Sequence, residues 1–188
     1  MQLTNSRDRY GAVPQFLHWL TVVLVIVAWA LGVFGEDLPK GATRATGLVI
    51  HISVGLLILV ALATRVIWRI ADPAPAPERN EFGRWLGRWA DPAAGVAHYT
   101  LYMLLVAVPV LGIIAQFGRG DALPLFGVVE IASPWVRDRA FAHSVREIHE
   151  IAAHALVIVA MFHAIAALLH HIVFGDNTLV RMLPGGKR

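Results

Sequence analysis

Residues 145–174 read VREIHEIAAHALVIVAMFHAIAALLHHIVF, and this stretch decides the fold. It contains a long apolar run whose interior is interrupted by histidines rather than by lysine or aspartate. A helix needs about 20 apolar residues to cross a bilayer, so the stretch is predicted to be a transmembrane helix. Its histidines are predicted to face other helices, because ionisable side chains are costly against lipid.

Three further apolar runs precede this helix, at about residues 13–34, 47–70 and 95–117. Loops rich in proline and polar residues separate them. The N-terminus lacks the cleavage pattern of a signal peptide, so the first run is predicted to be a retained helix. With 57% hydrophobic and 15% charged residues, the chain lies far from the soluble average of about 25% charged. We predict an all-α integral membrane protein, a four-helix transmembrane bundle, with residues 1–188 as a single domain.

The composition also limits the chemistry of the chain. There is no cysteine, which excludes disulfides, iron–sulfur clusters and thiolate metal sites. The net charge of +3 does not indicate nucleic-acid binding, because the basic residues lie in short loops and form no stripe. Any metal chemistry must therefore use the nine histidines.

The lysines and arginines near the helix ends predict the orientation in the membrane. Ten of them fall on the side of the two termini and six on the other side. Both termini are therefore predicted to be cytoplasmic, in a multi-pass protein of the bacterial inner membrane. The ten are Arg7, Arg9, Arg65, Arg69, Arg79, Arg84, Arg88, Arg181, Lys187 and Arg188, and the six are Lys40, Arg44, Arg119, Arg137, Arg139 and Arg146.

The spacing of four histidines predicts two metal sites at different depths. His149 and His163 are separated by about 21 Å along the fourth helix but by only about 40° around it. His51 lies about one turn into the second helix, which starts on the same side of the membrane as the fourth. His18 lies about one turn into the first helix, which starts on the opposite side. His51 and His149 are predicted to ligate one haem, and His18 and His163 a second. Iron with two histidine ligands has no open position and transfers electrons.

Other interpretations of the histidines remain open. A zinc site would need ligands within a few ångström, and a proton relay would need a chain of ionisable residues through the span. His170 follows His163 on the same face, about 10 Å further along, and is predicted to contact a quinone or a haem propionate; it is also a rival ligand. His98 is predicted at the start of the third helix near the cytoplasmic surface, with a position beside the haem of His18 and His163, or beside a quinone, as the minor alternative. A structural or transport bundle without haem would carry no pigment.

Four segments together carry a resemblance to a known family. They are RYGAVPQFLHWL (9–20), IHISVG (50–55), AHYTLYMLLVAVPVLG (97–112) and REIHEIAAHALVIVAMFHAIAALLHHIVFGDNTLVRMLP (146–184). In their order and spacing they resemble the bacterial cytochrome b561 family over nearly the whole chain. The resemblance implies four transmembrane helices that bind two b-type haems. It places the haem-iron ligands at His18, His51, His149 and His163.

The resemblance further implies an activity. Similar members are superoxide:ubiquinone oxidoreductases, which take electrons from periplasmic superoxide, release oxygen and reduce ubiquinone in the membrane. Arg44 lies seven residues before His51, and Arg146 lies three residues before His149. The two arginines would either steer the superoxide anion towards the haem of these histidines or pair with the propionates of that haem. The alternative is an electron-transfer cytochrome b subunit whose donor is a periplasmic redox protein. In that case the loop 118–144 would form a docking surface.

Overall fold

The computed structural model describes residues 2–76 and 89–185. Its long helices are α1 (Ala12–Phe34), α2 (Ala42–Ala71), α3 (Ala90–Gly118) and α4 (Arg139–Ile172). Short strands β1 (Leu123–Leu125) and β2 (Val129–Ile131) form a hairpin between α3 and α4. Within the described residues, four helices are long and apolar enough to cross a membrane. The predicted set of four apolar helices is confirmed.

The helices extend beyond the apolar runs that predict them. α2 begins at Ala42 instead of about residue 47, and α4 at Arg139 instead of about residue 145. Asp138 caps α4, because its carboxylate accepts a hydrogen bond of 3.0 Å from the Phe141 N–H. Apolar runs therefore mark the part of each helix that is apolar enough to cross a membrane, while polar first turns continue the helix beyond it.

One compact unit is tied together by hydrogen bonds of the two chain ends. It holds the described residues of Met1–Leu20, Ala63–Tyr102 and Ile158–Arg188. The Asn5 N–H donates to the Asp72 carboxylate over 2.8 Å. The side-chain amide of the buried Gln15 donates to the Arg181 carbonyl over 3.0 Å. The N-terminal segment, the end of α2 and the C-terminal segment are thereby held to one another.

The second compact unit contains most of the buried apolar side chains. It comprises Thr21–Leu62 and Met103–Val157. Its buried apolar residues are Val54, Ile58, Ala61, Leu62, Leu105, Ala115, Leu123, Ala142, Val145 and Leu156. The organisation of residues 1–188 as a single domain stays a prediction.

All four helices carry large apolar side chains on their exposed faces. Ile26, Val60, Val106 and Phe162 are examples from α1, α2, α3 and α4. Exposed apolar side chains along helices of this length are typical of a lipid-facing surface. The topology prediction rests in part on Arg79, Arg84, Arg88, Lys187 and Arg188, which lie outside the described residues.

Candidate functional site

His51 on α2 and His149 on α4 face each other in the second unit. Their ring centroids are 6.1 Å apart and the ring planes make an angle of 77°. Two imidazoles that share one metal ion have ring centres about 6 Å apart, because metal–nitrogen bonds are about 2 Å long. The separation is therefore compatible with two axial ligands on one iron.

Both rings are oriented by a carbonyl group of a neighbouring helix. Nδ1 of His51 lies 2.9 Å from the Ala28 carbonyl oxygen, and Nδ1 of His149 lies 2.8 Å from that of Val108. A carbonyl only accepts, so each ring is protonated at Nδ1 and has the lone pair on Nε2. A hydrogen bond from the nitrogen that does not bind the metal is the usual way in which a metal-binding histidine is held in its ligating tautomer.

Glycines give these rings access to the carbonyl groups. Gly32 lies four residues after Ala28, and Gly112 lies four residues after Val108. A Cβ atom at Gly32 would lie 3.4 Å from Cε1 of His51, and one at Gly112 would lie 3.3 Å from Cε1 of His149. In a helix, the side chain four residues on lies over the carbonyl. The two glycines therefore leave space for an imidazole.

His18 on α1 and His163 on α4 form a second facing pair, in the first unit. Their ring centroids are 6.4 Å apart, with ring planes at 67°. His98 on α3 lies nearby, with its ring centroid 5.2 Å from that of His163. Its Nδ1 forms a hydrogen bond of 2.8 Å with the Ala94 carbonyl of its own helix. The 5.2 Å separation is shorter than that of two imidazoles on opposite sides of an iron, so His98 is a neighbour of the His18–His163 pair.

The donor set fits haem better than zinc. Within residues 2–76 and 89–185, no three His, Asp or Glu side chains come together as a metal site. A zinc site takes at least three protein ligands, whereas the porphyrin supplies four of the six ligands of haem iron and leaves two to the protein. Each histidine pair supplies two imidazoles and thus fits a b-type haem.

Arg65 is a site residue that the sequence prediction counted only as a topological charge. It lies on α2 within a candidate membrane span, and its guanidinium carbon is 5.5 Å from the centre of the Tyr102 ring. It is close enough to His18 and His163 for its charge to act on both. A cation inside a span is costly unless it has a role, and here it could meet a haem propionate. The position of Arg65 within the apolar run of residues 47–70 was the sequence signal that could have indicated a role at the site.

Arg44 and Arg146 both contact the connection between α1 and α2. Arg44 donates to the Leu38 carbonyl over 2.9 Å and also to the Glu36 carbonyl. Arg146 pairs with the Glu36 carboxylate and, over 2.7 Å, with that of Glu150. Two carboxylates, those of Glu36 and Glu150, therefore lie beside these arginines. The spacing of residues in the sequence did not indicate these ion pairs.

His170 is paired with Asp176, which lies beyond the end of α4. Its Nδ1 is 2.5 Å from Oδ2 of Asp176, and the Thr178 N–H donates to Oδ1 over 2.8 Å. Burial alone would raise the pKa of Asp176, but the hydrogen bonds from His170 and Thr178 outweigh it and hold this pKa below its usual value. The carboxylate is therefore ionised at neutral pH.

Apolar helices that could span a membrane and that carry facing histidine pairs define a class, the membrane cytochromes of the b type. The chain belongs to one family within it: the model of the prokaryotic cytochrome b561 family matches residues 9–185. The family makes the chain a multi-pass membrane protein of electron transfer that binds b-type haem.

Individual relatives match over nearly their whole lengths. Cytochrome b561 homolog 2 of Escherichia coli (strain K12) is 29% identical over 184 residues, which cover 97% of this chain and 95% of that protein. The probable superoxide oxidase CybB of Yersinia pestis is 32% identical over 178 residues, covering 94% and 96%. Cytochrome b561 homolog 1 of Escherichia coli (strain K12) is 30% identical over 189 residues, covering 96% and 99%.

Proposed function

We propose that this cytochrome is a superoxide:ubiquinone oxidoreductase of the bacterial inner membrane, with both termini in the cytoplasm and the whole chain acting as one domain. The observation that carries the proposal is the pair of histidine ring separations, 6.1 Å and 6.4 Å. They support two b-type haems, with His51 and His149 as ligands of one and His18 and His163 as ligands of the other. The similarity to a probable superoxide oxidase supports the choice of donor.

The proposed reaction balances without a protein nucleophile. Two superoxide anions each lose one electron and leave as oxygen, and one ubiquinone takes up two electrons and two protons to become ubiquinol. A b-type haem, when bound, supplies a one-electron couple, so the two electrons are transferred singly. The chain holds the iron ligands, shapes the electric field at the donor side and positions groups at the quinone side.

At the donor side, Arg44 and Arg146 are proposed to attract superoxide. Their effect is reduced by Glu36, which accepts hydrogen bonds from both arginines, through its main-chain carbonyl and its carboxylate respectively. Charges at the mouth of a site change the rate of encounter with an ion more than the chemistry that follows. The side chains of Arg146 and Glu36 are 48% and 69% exposed, so salt screens them.

Removing the carboxylate of Glu36 is therefore expected to increase the rate of reaction with superoxide. At low ionic strength, Glu36→Gln should raise the second-order rate constant about 3-fold, and Arg146→Gln should lower it about 3-fold. Both effects should vanish in high salt. Stopped-flow absorbance of the reducible haem band measures this constant. Asp8→Asn is the matched control, because it changes the net charge equally in the other unit; equal effects of Glu36→Gln and Asp8→Asn would contradict steering.

At the acceptor side, His170 is proposed to contact a quinone carbonyl or a haem propionate. Its hydrogen bond with the Asp176 carboxylate orients the ring, and an oriented histidine can act as an acid–base group toward a quinone oxygen. His98, whose ring lies 5.2 Å from that of His163, is proposed as a second histidine that serves the acceptor side. These residues would serve the two protonations that ubiquinol formation needs.

A second candidate is an electron-transfer cytochrome whose donor is a periplasmic redox protein. The ion pairs of Arg146 with Glu36 and Glu150 favour it, because they reduce the positive charge that would attract superoxide.

One experiment separates the two functions. The purified protein is mixed with superoxide and a short-chain ubiquinone analogue in a stopped-flow instrument. We expect rapid haem reduction that superoxide dismutase suppresses, followed by formation of the quinol. A haem that superoxide leaves oxidised, but that an artificial donor reduces, would replace the proposed function by the alternative.

A further inference from the structure

The connection between α3 and α4 exposes an unusual number of apolar side chains. Val128 and Val136 are 86% and 93% exposed, more than any other large apolar residue of the described segments. Outside the four helices, most of the exposed large apolar side chains belong to this connection, at Phe126, Val128, Val129, Ile131, Trp135 and Val136. Such a cluster on an extramembrane loop normally marks a contact with a membrane or a protein.

The hairpin of β1 and β2 has one apolar face and one polar face. Leu123 pairs with Ile131 and Leu125 with Val129, and residues that pair across strands lie on the same face. The opposite face carries the pair of Pro124 with Glu130. The other charged residues of the connection lie at its base, at Arg119, Asp121, Arg137, Asp138 and Arg139. The hairpin is therefore amphipathic, and its tip has no charge.

The turn at the tip places an aromatic residue where the backbone disfavours one. Phe126 has a φ of 54° and Gly127 a φ of 70°. Glycine or asparagine is the usual residue at such a position, and a bulky side chain there is strained. The Phe126 side chain is nevertheless 51% exposed. The turn itself does not require this ring, so its presence indicates a contact beyond the hairpin.

The base of the hairpin is fixed to the helix ends. The Gln116 side-chain amide donates to the Ala122 carbonyl over 2.8 Å, and the Ser133 hydroxyl donates to the Phe117 carbonyl over 2.9 Å. The Trp135 ring packs edge-on against Phe117, with centroids 6.1 Å apart. Aromatic residues at the ends of membrane-spanning helices typically mark the level of the lipid headgroups. The aromatic residues at its base therefore favour a position of the hairpin at the level of the lipid headgroups.

The tip of the hairpin lies close to α2. A Cβ atom at Gly127 would be 3.4 Å from Cγ1 of Val49, within the candidate span of α2. The adjoining Leu48 and Ile50 are exposed. The apolar tip therefore lies beside a candidate span that exposes apolar side chains, which favours lipid over a soluble protein as its partner.

We propose that residues 125–131 form an amphipathic membrane anchor whose tip, Phe126 and Val128, inserts among the headgroups and outermost acyl carbons beside α2, while the buried Leu123 holds the hairpin to the protein. Elements of this kind bury their apolar face about 5–10 Å into the boundary between headgroups and acyl chains. The anchor fixes the depth of the connection between α3 and α4 in the membrane. It does not depend on which molecule donates electrons.

The absence of cysteine from the chain allows a direct test. A single-cysteine variant, Val128→Cys, is spin-labelled and reconstituted in vesicles of phosphatidylethanolamine and phosphatidylglycerol. Collision of the label with oxygen, which concentrates in lipid, is compared with collision with a water-soluble nickel chelate. We expect the oxygen-to-nickel ratio to be about 5-fold or more above that of a label at Asp121→Cys in the base of the loop.

Two further measurements make the result decisive. A label at Val106→Cys, an exposed position within the candidate span of α3, gives the value for lipid. An unchanged haem absorption band shows that each labelled variant is folded. A Val128 label as accessible to nickel as that of Asp121→Cys would overturn the proposal and leave the apolar tip to a protein partner.

Discussion

The His149→Leu variant is expected to purify with about half of the haem of the unsubstituted chain. Leucine is apolar and similar in size, so the packing of α4 is kept while one of the two proposed axial ligands is lost. A b-type haem is not covalently attached, and its retention depends on those ligands and on packing. The haem-to-protein ratio after extraction into alkaline pyridine measures the loss, and the low-spin spectrum of the remaining haem should be unchanged.

His154→Leu is the matched control on the same helix. The Nδ1 of His154 bonds the Glu150 carbonyl of its own helix over 2.7 Å, and its ring faces Trp29 instead of another histidine. This variant should keep the full haem content. Full haem in His149→Leu, or an equal loss in His154→Leu, would contradict the assignment of His149 as a ligand.

The His163→Leu variant is expected to separate the two halves of the reaction. Superoxide should still reduce the haem site of His51 and His149, because the donor side is intact. Reduction of the quinone analogue should fall by about 100-fold or more, because the site next to the quinone is lost. His51→Leu should give the reverse pattern, with slow reduction by superoxide. Stopped-flow traces at the haem band and at the quinone absorption follow the two steps in one experiment.

His18→Leu provides an independent check on the order of the two sites. It removes the partner of His163 and should reproduce the His163→Leu pattern, with His171→Leu as the control at an exposed position of α4. If His51→Leu and His163→Leu slowed the same step, the proposed order of electron transfer from the His51–His149 pair to the His18–His163 pair would be wrong.

The histidine pairs were predictable because they depend on helix periodicity and on the alternating direction of successive helices. His149 and His163 fall on nearly one face of α4, and the alternating direction of the helices brings the starts of α2 and α1 to the matching depths. The ring separations of 6.1 Å and 6.4 Å agree with the pairing that spacing selects. Whether these rings ligate haem stays a prediction until the variants are measured.

Contacts between distant segments were beyond what spacing can predict. Glu36 and Arg146 are 110 residues apart, and their ion pair depends on how the α1–α2 connection folds back over α4. The carbonyl groups that orient His51 and His149 belong to other helices, at Ala28 and Val108. Only Gly32 and Gly112, four residues further on, leave a trace of this arrangement in the sequence. A glycine four residues after a carbonyl that faces a histidine is a signal that could be sought elsewhere.

The measurement that tests the central claim most directly is the haem content of the unsubstituted protein. The purified chain is reduced, its spectrum is recorded, and extracted haem is compared with protein from amino-acid analysis. We predict a reducible b-type band and about two haems per chain, one for each histidine pair. A ratio of about one haem per chain would mean that only one of the two histidine pairs binds haem. A chain without a reducible b-type band would contradict the proposal of electron transfer through paired histidines.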